Sequence, residues 1–557
     1  MTADDLDFSA RWQYHVAPPA SVRLHLGEIV EPVEVDAEPT ADHLSWHAHG
    51  VTVRTEPATP LVERGQDLTI SVHADTQPIR GITLTWPHRL AAGTAVLGDA
   101  WERGYGDLGW QRLDADRPLP WYLVARSTDR TLGIGVRVRP NAFCHWRFDP
   151  AQLRLHLDLR NGGDAAVLGD RVLTVATVTG AEADHGESAY ELTAALCERM
   201  CADPLPVPGP VVGANNWYYA YGEGFDPDAV VGDAALVAEY VGDHPVRPFG
   251  VVDAGWSPGG GAPGGPWEHG TPGLFDDMPG LAERVRDVGA RPGIWMRPLA
   301  RSFDVDERLL RPGPQPSGHG SNPPTLALDV SRPEVLDLVR ADVARIAGWG
   351  FELIKHDFST FDLLGRFGPA MGTELTDPGW HFADRARTNA ELINAFYDAV
   401  LDAAQSGPRG GALVLGCNTV GHLAAGRVHL NRTGDDTSGR DWARTRQMGV
   451  NTLAYRMPQH GRFYLADADC VPATPSTPWA KNRQFADAIA RSGTALFVSV
   501  DPAARTSAVD ADLRAAFRLA CDGGVPGGVR PVIGDHLPSE PAPTRWVGTD
   551  GEKTYSW

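Results

Sequence analysis

Phe351-Glu-Leu-Ile-Lys-His-Asp-Phe358 is a short apolar run that ends in a lysine, a histidine and an aspartate. The pattern predicts a buried β-strand over Phe351 to Ile354 that runs out into polar residues. Because side chains alternate across a strand, Lys355 and Asp357 should point the same way. If they face a pocket, the ammonium group keeps the Asp357 carboxylate ionised and positioned as a nucleophile. The alternative is an ion pair at the end of a strand.

Seven further apolar segments of this kind occur after residue 208, and helical patterns separate them. In chain order the eight predicted strands are 210–216, 248–253, 292–297, 351–357, 412–418, 428–432, 463–467 and 495–501. The predicted helices between and after them are 229–240, 280–288, 333–349, 383–404, 440–453, 479–492 and 510–521. Eight repeats of strand and helix over roughly 315 residues predict an α/β fold, a (β/α)8 TIM barrel.

The first 207 residues show a different rhythm, with short alternating runs between turn residues. These runs lie at 44–53, 67–73, 82–86, 132–138, 153–159 and 172–178. Such spacing predicts a large β-sandwich. A proline-rich linker at 204–210 follows. We therefore expect a sandwich domain over 1–207, a catalytic barrel over 208–524 and a short C-terminal β segment over 525–557.

Composition excludes several classes of partner. The chain has 557 residues, 42% of them hydrophobic and 22% charged, and its formal net charge of -21 argues against nucleic acid or an anionic membrane as partner. Apolar runs long enough for a membrane span are absent, and the acidic N-terminus lacks the features of a signal peptide. Six scattered cysteines suit a reducing compartment. These features predict a cytoplasmic protein with no membrane partner, and a homo-oligomer is left open.

Active sites of TIM barrels form at the carboxyl ends of the strands. The ends predicted here are rich in carboxylates and carry no histidine cluster, so a metal site is not expected. His47-Ala-His49 is interpreted as two histidines on one sheet face. The glycine run 259–265 opens no helix and predicts no phosphate cradle, so no cofactor is expected. Paired carboxylates with aromatic neighbours fit glycoside hydrolysis.

One loop of the sandwich breaks the alternation. Gly98-Asp-Ala-Trp-Glu-Arg-Gly-Tyr-Gly-Asp-Leu-Gly-Trp110 crowds aromatic, charged and glycine residues together. Such a loop is either a binding loop or a surface turn packed on its own tryptophan. We expect the part from Trp101 to Trp110 to reach over the barrel mouth and line the substrate pocket. Its mix of Trp101, Glu102, Arg103 and Asp107 suits stacking on a sugar face and binding of hydroxyls.

Two motifs resemble those of a known family. Leu353-Ile-Lys-His-Asp-Phe358 resembles the nucleophile motif of glycoside hydrolase family 36, the α-galactosidase family. Val414-Leu-Gly-Cys-Asn418, followed by Asn431-Arg-Thr-Gly-Asp-Asp-Thr437, is similar to that family's strand-five cysteine and strand-six acid/base motif. With the N-terminal sandwich, the resemblance covers nearly the whole chain. It implies a retaining, exo-acting α-glycosidase that hydrolyses a terminal α-linked sugar of an oligosaccharide or glycoside.

The resemblance also assigns roles to residues. It makes Asp357 the nucleophile and Asp436 the acid/base, because the acid follows the motif's arginine by four residues. Asp435 would then be a helix cap. The residues that the resemblance and the strand ends assign to substrate binding are Lys355, Arg432, Asp253, Trp256, Cys417, Asn418, Trp217 and Arg297.

Two departures from the family pattern bear on the sugar. Ala254 stands where the family commonly has a second aspartate, and Trp295-Met-Arg-Pro298 stands where Trp-x-Glu-Pro is common. Arg297 would either pair with a pocket carboxylate such as Asp253 or bind an anionic sugar. The alternatives to hydrolysis of galactosides are a transglycosylase of the raffinose-synthase kind, a glycosidase for N-acetylgalactosamine or arabinopyranose, and an inert sugar-binding barrel.

Overall fold

The computed structural model describes residues 16–27, 29, 31–35, 37–39, 44–61, 66–88, 93–127, 130–148, 151–184, 186–259, 264–302, 305–313, 315, 325–533 and 542–557. Within these residues, two antiparallel sheets come first, a closed eight-stranded parallel barrel follows, and a three-stranded sheet ends the chain. The predicted fold class, a TIM barrel preceded by a β-sandwich, is therefore confirmed.

The N-terminal domain consists of a six-stranded and a nine-stranded sheet. Its strands are β1 (Ser21–Leu26), β2 (Val33–Val35), β3 (Ala37–Pro39), β4 (Leu44–Ala48), β5 (Val51–Ala58), β6 (Asp67–Asp75), β7 (Ile79–Pro87), β8 (Ala95–Gly98), β9 (Gln111–Arg112), β10 (Leu119–Pro120), β11 (Tyr122–Arg126), β12 (Thr131–Val136), β13 (Phe143–Phe148), β14 (Gln152–Asp158) and β15 (Gly169–Glu182). The orders are β10-β13-β14-β7-β1-β2 and β3-β4-β5-β6-β15-β12-β11-β8-β9.

Alternation of apolar and polar residues gives each sandwich strand a buried face. Along β14, Leu153, Leu155 and Leu157 are buried, whereas the residues between them are partly exposed. The same parity buries Trp146 on β13, whose indole ring lies 6.1 Å from that of Trp86. Burying a large apolar side chain contributes about 1.5–3 kcal/mol, so these rows of side chains hold the domain together.

The run 44–53, predicted as one strand, is a hairpin of β4 and β5. His49 and Gly50 form its turn with φ of 51° and 77°, the left-handed region that such two-residue turns require. His47 is on β4, where its Nδ1 lies 2.8 Å from Thr52 Oγ1. The prediction that both histidines share a sheet face is therefore wrong. Among the described residues, no cluster of three or more His, Cys, Asp or Glu could hold a metal ion.

All eight predicted barrel strands are present. In chain order the strands of this part are β16 (Val212–Asn215), β17 (Phe249–Val252), β18 (Arg291–Met296), β19 (Ala300–Arg301), β20 (Leu326–Ala327), β21 (Leu353–His356), β22 (Leu413–Gly416), β23 (Leu430–Arg432), β24 (Leu465–Ala473) and β25 (Ala495–Val500). The pair β19–β20 forms a separate small sheet, and the other eight close the barrel. Strands β17, β21 and β22 are buried along their whole length, as parallel strands covered on both faces must be.

The helices cover the barrel. They are α1 (Ala189–Met200), α2 (Trp217–Ala220), α3 (Pro227–Val241), α4 (Met278–Asp287), α5 (Pro333–Gly348), α6 (Ser359–Leu364), α7 (Asn389–Ala404), α8 (Gly421–Ala424), α9 (Trp442–Thr445), α10 (Thr452–Arg456), α11 (Trp479–Ser492) and α12 (Ser507–Cys521). α1 precedes the barrel and packs on the sandwich. A π-helical turn, Arg446–Asn451, joins α9 to α10, so the helix predicted over 440–453 is irregular.

The helix predicted over 383–404 begins only at Asn389. Thr388 caps it, and the Thr388 and Glu391 side chains form a capping box. The preceding residues instead contact the sandwich, because Asn161 Nδ2 donates hydrogen bonds to the carbonyl oxygens of Asp384 and Arg387. Contact between the domains therefore sets where this helix starts.

The C-terminal segment forms a small antiparallel sheet, β26 (Val529–Pro531), β27 (Arg545–Gly548) and β28 (Gly551–Thr554). It packs on α11, where Lys553 Nζ lies 2.6 Å from Asp487 Oδ2 and Tyr555 donates to the same oxygen. The domain boundaries at 207/208 and 524/525 stay predictions. Across the described ranges, every helix is too short or too polar to cross a lipid bilayer.

Candidate active site

A cavity of about 320 Å³ opens at the carboxyl ends of the barrel strands. Its carboxylates are Asp253, Asp357, Asp435 and Asp436, and its cations are Arg103, Lys355 and Arg444. Its other lining residues are Trp217, Ala254, Trp295, Phe358, Phe361, Phe367 and Asn418. The structure thus brings Asp357 and Asp436, the two predicted catalytic residues, into one cavity. Trp217, Asp253, Lys355 and Asn418, which were predicted to bind substrate, line it as well.

Asp357 follows the last residue of β21 and is fixed by its neighbours. Its backbone N–H donates to Met296 O at 3.0 Å, which continues the barrel hydrogen bonding by one residue. Trp295 Nε1 donates to Asp357 Oδ2 at 3.2 Å, and the Phe358 N–H donates to Oδ1 at 2.7 Å. Two donors therefore orient a carboxylate that is only 9% exposed and faces the cavity.

Lys355 forms its ion pair with Asp253, not with Asp357. Lys355 Nζ lies 2.7 Å from Asp253 Oδ2, which also accepts from Asn215 Nδ2 at 2.6 Å. Burial opposes the charge of Lys355, but the carboxylates of Asp253 and Asp357 among others hold its pKa well above the usual value. Lys355 therefore stays cationic beside the nucleophile, while its direct partner is the carboxylate on β17.

Asp436 lies in the loop after β23 and is the more open of two adjacent carboxylates. Its side chain is 37% exposed, and its Oδ1 lies 3.3 Å from Arg432 Nη2. Asp435 is 13% exposed, with Arg103 at 2.7 Å and Arg444 at 2.6 Å. The expectation that Asp435 caps a helix is wrong, because Asp441 caps α9. Two guanidinium groups hold Asp435, and Asp436 keeps an edge free for a ligand.

The field around Asp436 is strongly positive. Burial raises its pKa, but Arg432, Arg103 and Lys355 outweigh burial and lower the pKa to about 2. The residue is therefore ionised at neutral pH in the ligand-free cavity. A carboxyl group that acts as an acid must first gain a proton, so the environment of Asp436 favours its conjugate base.

Cys417 and Arg432 lie behind the cavity wall and support it. Arg432 Nη1 donates to Cys417 Sγ at 3.3 Å, and Arg432 Nη2 lies 2.8 Å from Asp469 Oδ2. Burial raises the pKa of the Cys417 thiol well above its ordinary value, so it stays protonated. Asn418 Oδ1 accepts from the Phe361 N–H at 3.3 Å, which ties β22 to the helix after the Asp357 strand.

Besides Cys417 and Arg432, which were predicted to bind substrate but lie behind the cavity wall, three other residues with that prediction do not line the cavity. Trp256 is fully buried and donates from Nε1 to Trp295 O at 2.8 Å, so it supports Trp295 from behind. Trp101 packs at 5.5 Å against Trp121 inside the sandwich, and its Nε1 donates to Gly372 O at 2.7 Å. Neither indole is placed to stack on a sugar in this cavity.

Arg297 is the third of these residues. It is 2% exposed, and its Nη2 and Nε donate to the Asp362 carboxylate at 2.6 and 3.0 Å. Its guanidinium also lies 4.3 Å from the centre of the Phe358 ring. The structure therefore shows an internal pair, with Asp362 of α6 as partner in place of Asp253, because Arg297 points down onto α6.

The loop from Trp101 to Trp110 does reach the barrel mouth, as predicted, although through Arg103. The Gly104 N–H donates to Thr433 O at 3.0 Å, and the Asp435 N–H donates to Gly104 O at 2.9 Å. A side chain at Gly104 would have its Cβ only 2.9 Å from Thr452 Cγ2, so this approach requires glycine. The sandwich thereby places the Arg103 guanidinium in the cavity of the barrel.

Several lining residues were missed in the sequence. Trp295 pairs in register with Lys355 on the neighbouring strand, and this register would have placed its side chain beside the Lys355 side chain. Phe358, Phe361 and Phe367 lie in an aromatic-rich stretch after β21. This composition is the sequence feature that could have indicated an aromatic cavity wall. For Arg444 no local pattern distinguishes it from a surface arginine.

Several solved structures that share this fold are α-galactosidases. The enzyme TtGalA of Thermus thermophilus, in complex with p-nitrophenyl α-D-galactopyranoside, aligns with a TM-score of 0.60 and 16% identity over 93% of this chain and 99% of that chain. The family 36 α-galactosidase AgaA of Geobacillus stearothermophilus aligns with a TM-score of 0.59 and 14% identity over 91% of this chain and 76% of that chain. No family model matches the chain, and no curated protein matches its sequence. The chain thus has the fold of the glycoside hydrolase family 36 α-galactosidases.

Proposed function

We propose that this protein is a retaining, exo-acting α-glycosidase that removes a terminal galactose-like sugar. The observation that carries the proposal is that Asp357, after β21, and Asp436, in the loop after β23, line one cavity. A cavity of about 320 Å³ is of the size that holds a small ligand, which suits one terminal sugar. The fold shared with α-galactosidases supports the same class of substrate.

In the first step, an Asp357 oxygen attacks the anomeric carbon while the bond to the glycosidic oxygen breaks. Asp436, which must first take up a proton because the cavity favours its carboxylate, gives that proton to the departing oxygen, and a glycosyl ester of Asp357 forms. In the second step, Asp436 takes a proton from water, the water oxygen bonds to the anomeric carbon, and the Asp357 carboxylate leaves. Two inversions give retention, and the two carboxyl groups must then lie about 5–5.5 Å apart.

The remaining lining residues orient the sugar. Trp295 and the Phe358 N–H hold Asp357 so that one oxygen faces the cavity. The Lys355–Asp253 pair presents both a donor and an acceptor to sugar hydroxyls. Trp217 offers an aromatic wall, and aromatic faces stack well on sugar rings. Arg432 lies behind these lining residues and acts on the sugar only through the Asp436 carboxylate.

A panel of 4-nitrophenyl α-glycosides tests the proposal. We expect release of nitrophenol from the α-galactoside or a related α-glycoside, and loss of at least about 10³-fold in kcat for Asp357→Ala. Azide should restore part of that activity and give a β-glycosyl azide. Asp170→Ala, which alters a carboxylate that is 93% exposed on the sandwich, is the control and should retain full activity.

Absence of nitrophenol release from every glycoside, with a sugar still bound, would instead support an inert sugar-binding barrel. Azide rescue of Asp436→Ala with the opposite anomer, and none for Asp357→Ala, would exchange the two catalytic roles.

Transfer to a second sugar is the alternative that the cavity rim supports. Phe361 and Phe367 line the cavity with ring centres 5.3 Å apart, and together with Phe358 they form an apolar wall that disfavours water. A sugar acceptor could pack on such a wall. Product analysis with added raffinose separates the outcomes, because a transglycosylase yields a longer oligosaccharide at the expense of free monosaccharide.

A further inference from the structure

A second cavity lies on the sandwich and shares no lining residue with the cavity at the barrel mouth. It measures about 540 Å³, and its floor is the outer face of the six-stranded sheet, formed by β1, β7, β14 and β13. The loop after β1, with Gly27 and Ile29, and the barrel residues Thr373 and Glu374 complete its lining. The cavity is therefore built from both domains and is not a depression in a single sheet.

The charge of this cavity is opposite to that of the chain. Five arginines and one carboxylate line it, in a protein with a formal net charge of -21: Arg23, Arg80, Arg147, Arg154, Arg160 and Glu374. Among the residues that the structure describes, the adjoining carboxylates are Asp158, which pairs with Arg160, and Glu34, which lies 3.5 Å from Arg23. Counting both still leaves more cations than carboxylates. A local excess of cations on an acidic protein attracts anions.

The arginines come together because of strand register. Arg147 on β13 pairs with Arg154 on β14, and His145 pairs with His156. Alternation turns these four side chains outward, while Trp146 and Leu155 between them enter the core. The register thus places two guanidinium groups on directly opposed residues of the cavity floor.

A row of neutral donors lies along the same floor. Thr83 Oγ1 contacts His25 Nε2 at 2.8 Å and His156 Nδ1 at 3.0 Å, and the His145 ring lies 4.9 Å from that of His156. Burial and the neighbouring cations lower the pKa of His156 to about 3. The histidines are thus uncharged at neutral pH and offer N–H groups for hydrogen bonds.

One group in this cavity is left unsatisfied. Arg147 Nε is buried and has no hydrogen-bond partner within the described ranges. Arg160, in contrast, is fully engaged with Asp158, the Thr373 carbonyl and Glu374, whose Oε2 lies 2.6 Å from Arg160 Nη1. A buried guanidinium N–H without an acceptor is costly. Glu374, which is 68% exposed, acts as an internal anion at the edge of the cavity.

We propose that this cavity, here called the sandwich pocket, binds a small molecule that carries a phosphate or sulfate group. The dianion lies over the paired Arg147 and Arg154. The uncharged part of the molecule binds to the row formed by Thr83 and the histidines. Guanidinium groups suit tetrahedral oxyanions because each can form two parallel hydrogen bonds. The volume exceeds that of a bare anion and suits a phosphorylated or sulfated sugar.

Calorimetric titration of the full-length protein in low-salt buffer tests the proposal with inorganic phosphate, inorganic sulfate and glucose 6-phosphate, with glucose as the uncharged probe. We expect saturable binding of the anions, tightest for glucose 6-phosphate, and none for glucose. Arg147→Met should weaken binding about tenfold or more, since a hydrogen bond to a charged group is lost. Glu374→Gln should tighten it at least about twofold, because the internal competitor is removed.

Two arginine variants are matched controls. Arg54→Met removes an exposed guanidinium on β5, and Arg444→Met removes one that lines the catalytic cavity. Both should bind the anions as the wild type does. Loss of binding in Arg444→Met would place the anion in the catalytic cavity and overturn the proposal. Anion binding unchanged by both Arg147→Met and Glu374→Gln, or absent at 20 mM of each probe (roughly the weakest useful affinity), would overturn it too. None of these outcomes depends on glycosidase activity.

Discussion

Arg103 Nη2 of the sandwich lies 2.7 Å from Asp435 Oδ1 of the barrel, and its Nη1 lies 3.8 Å from Asp436 Oδ1. A domain that precedes the barrel therefore supplies part of the electrostatic field at the proposed acid/base. Together with Arg432 it overcomes the effect of burial and holds the pKa of Asp436 at about 2. The pH dependence of the proposed activity is thus set partly from outside the barrel.

Removing the Arg103 cation should move the pH profile. In Arg103→Met the pKa of Asp436 rises, so its protonated form survives to higher pH and the alkaline limb of kcat/KM shifts upward by about one unit. The measurement is the pH–rate profile on an oligosaccharide or alkyl glycoside, whose leaving group needs a proton. With 4-nitrophenyl glycosides the shift should be smaller, because nitrophenolate leaves without help.

The matched control is Arg444→Met. Arg444 bonds Asp435 and the Asp436 backbone carbonyl, and it contributes less than Arg103 to the lowering of the Asp436 pKa. The pH–rate profile of Arg444→Met should therefore shift less than that of Arg103→Met. Equal pH–rate profiles for wild type and Arg103→Met would show that the Arg103 guanidinium does not change the pKa of Asp436.

The Arg297–Asp362 pair should behave as a buried ion pair with a structural role. Arg297→Met leaves the Asp362 carboxylate, which is 0% exposed, without its closest cation, and should lower the free energy of unfolding by about 3–5 kcal/mol. The double variant Arg297→Met/Asp362→Leu should recover most of that loss, since it leaves no uncompensated charge. Urea unfolding of the two single variants and the double variant measures the coupling.

A double variant as unstable as Arg297→Met would contradict this role. So would a change in sugar preference without any loss of stability in Arg297→Met, because that result would assign Arg297 to specificity.

The barrel could be predicted from the sequence because its signal is repeated eight times. Buried parallel strands appear as continuous apolar runs, and each run ends in the polar residues that face the active site. The boundary of α7 could not be predicted, since Asn161 of the sandwich holds the preceding segment. Contacts between domains produce no periodic pattern in the sequence of either domain.

The site was predictable where a side chain lies directly at a strand end. Asp357, Lys355 and Asp253 satisfy this condition, and all three line the cavity. Arg297 also follows a strand end directly, but tertiary packing turned it onto α6, and Trp101 packs inside the sandwich. The loop that carries Arg103 was predicted to reach the site, but its backbone pairing with the barrel at Gly104 has no signal in the sequence.

Ala254 should limit recognition of the sugar's outer hydroxyls. It lines the cavity next to Asp253, and its methyl group can accept no hydrogen bond. Ala254→Asp adds an acceptor there and should raise kcat/KM for the α-galactopyranoside relative to the α-arabinopyranoside, which lacks C6, by about tenfold or more. Ala254→Ser, smaller and uncharged, is the matched comparison and should change the ratio less. A ratio unchanged in Ala254→Asp would mean that the position does not face the C6 side of the sugar.

Buried neutral histidines should make the fold sensitive to acid. His429 is 8% exposed, and burial lowers its pKa to about 4. Its Nδ1 accepts a hydrogen bond from the Val414 N–H at 3.0 Å, so a second ring proton would have to displace a barrel contact. His422 and His460 also have pKa values lowered to about 4 by burial. Each is therefore held in its uncharged form by the fold.

The sign of the effect follows from proton binding in the two states. An unfolded histidine takes up its proton near pH 6.5, whereas folded His429 does so only near pH 4, so between these values the unfolded state binds more protons. Stability should therefore fall as pH decreases from 6.5 to 4, by up to about 1.4 kcal/mol per pH unit for each such histidine.

His429→Asn keeps an acceptor for Val414 but cannot titrate. The slope of its unfolding free energy against pH should therefore be smaller than that of the wild type, by up to the contribution of about one proton. Urea unfolding at a series of pH values measures this slope, and His47→Asn, at an exposed position on β4, should leave it unchanged. Parallel pH dependences of His429→Asn and wild type would show that His429 is protonated equally in the folded and unfolded states.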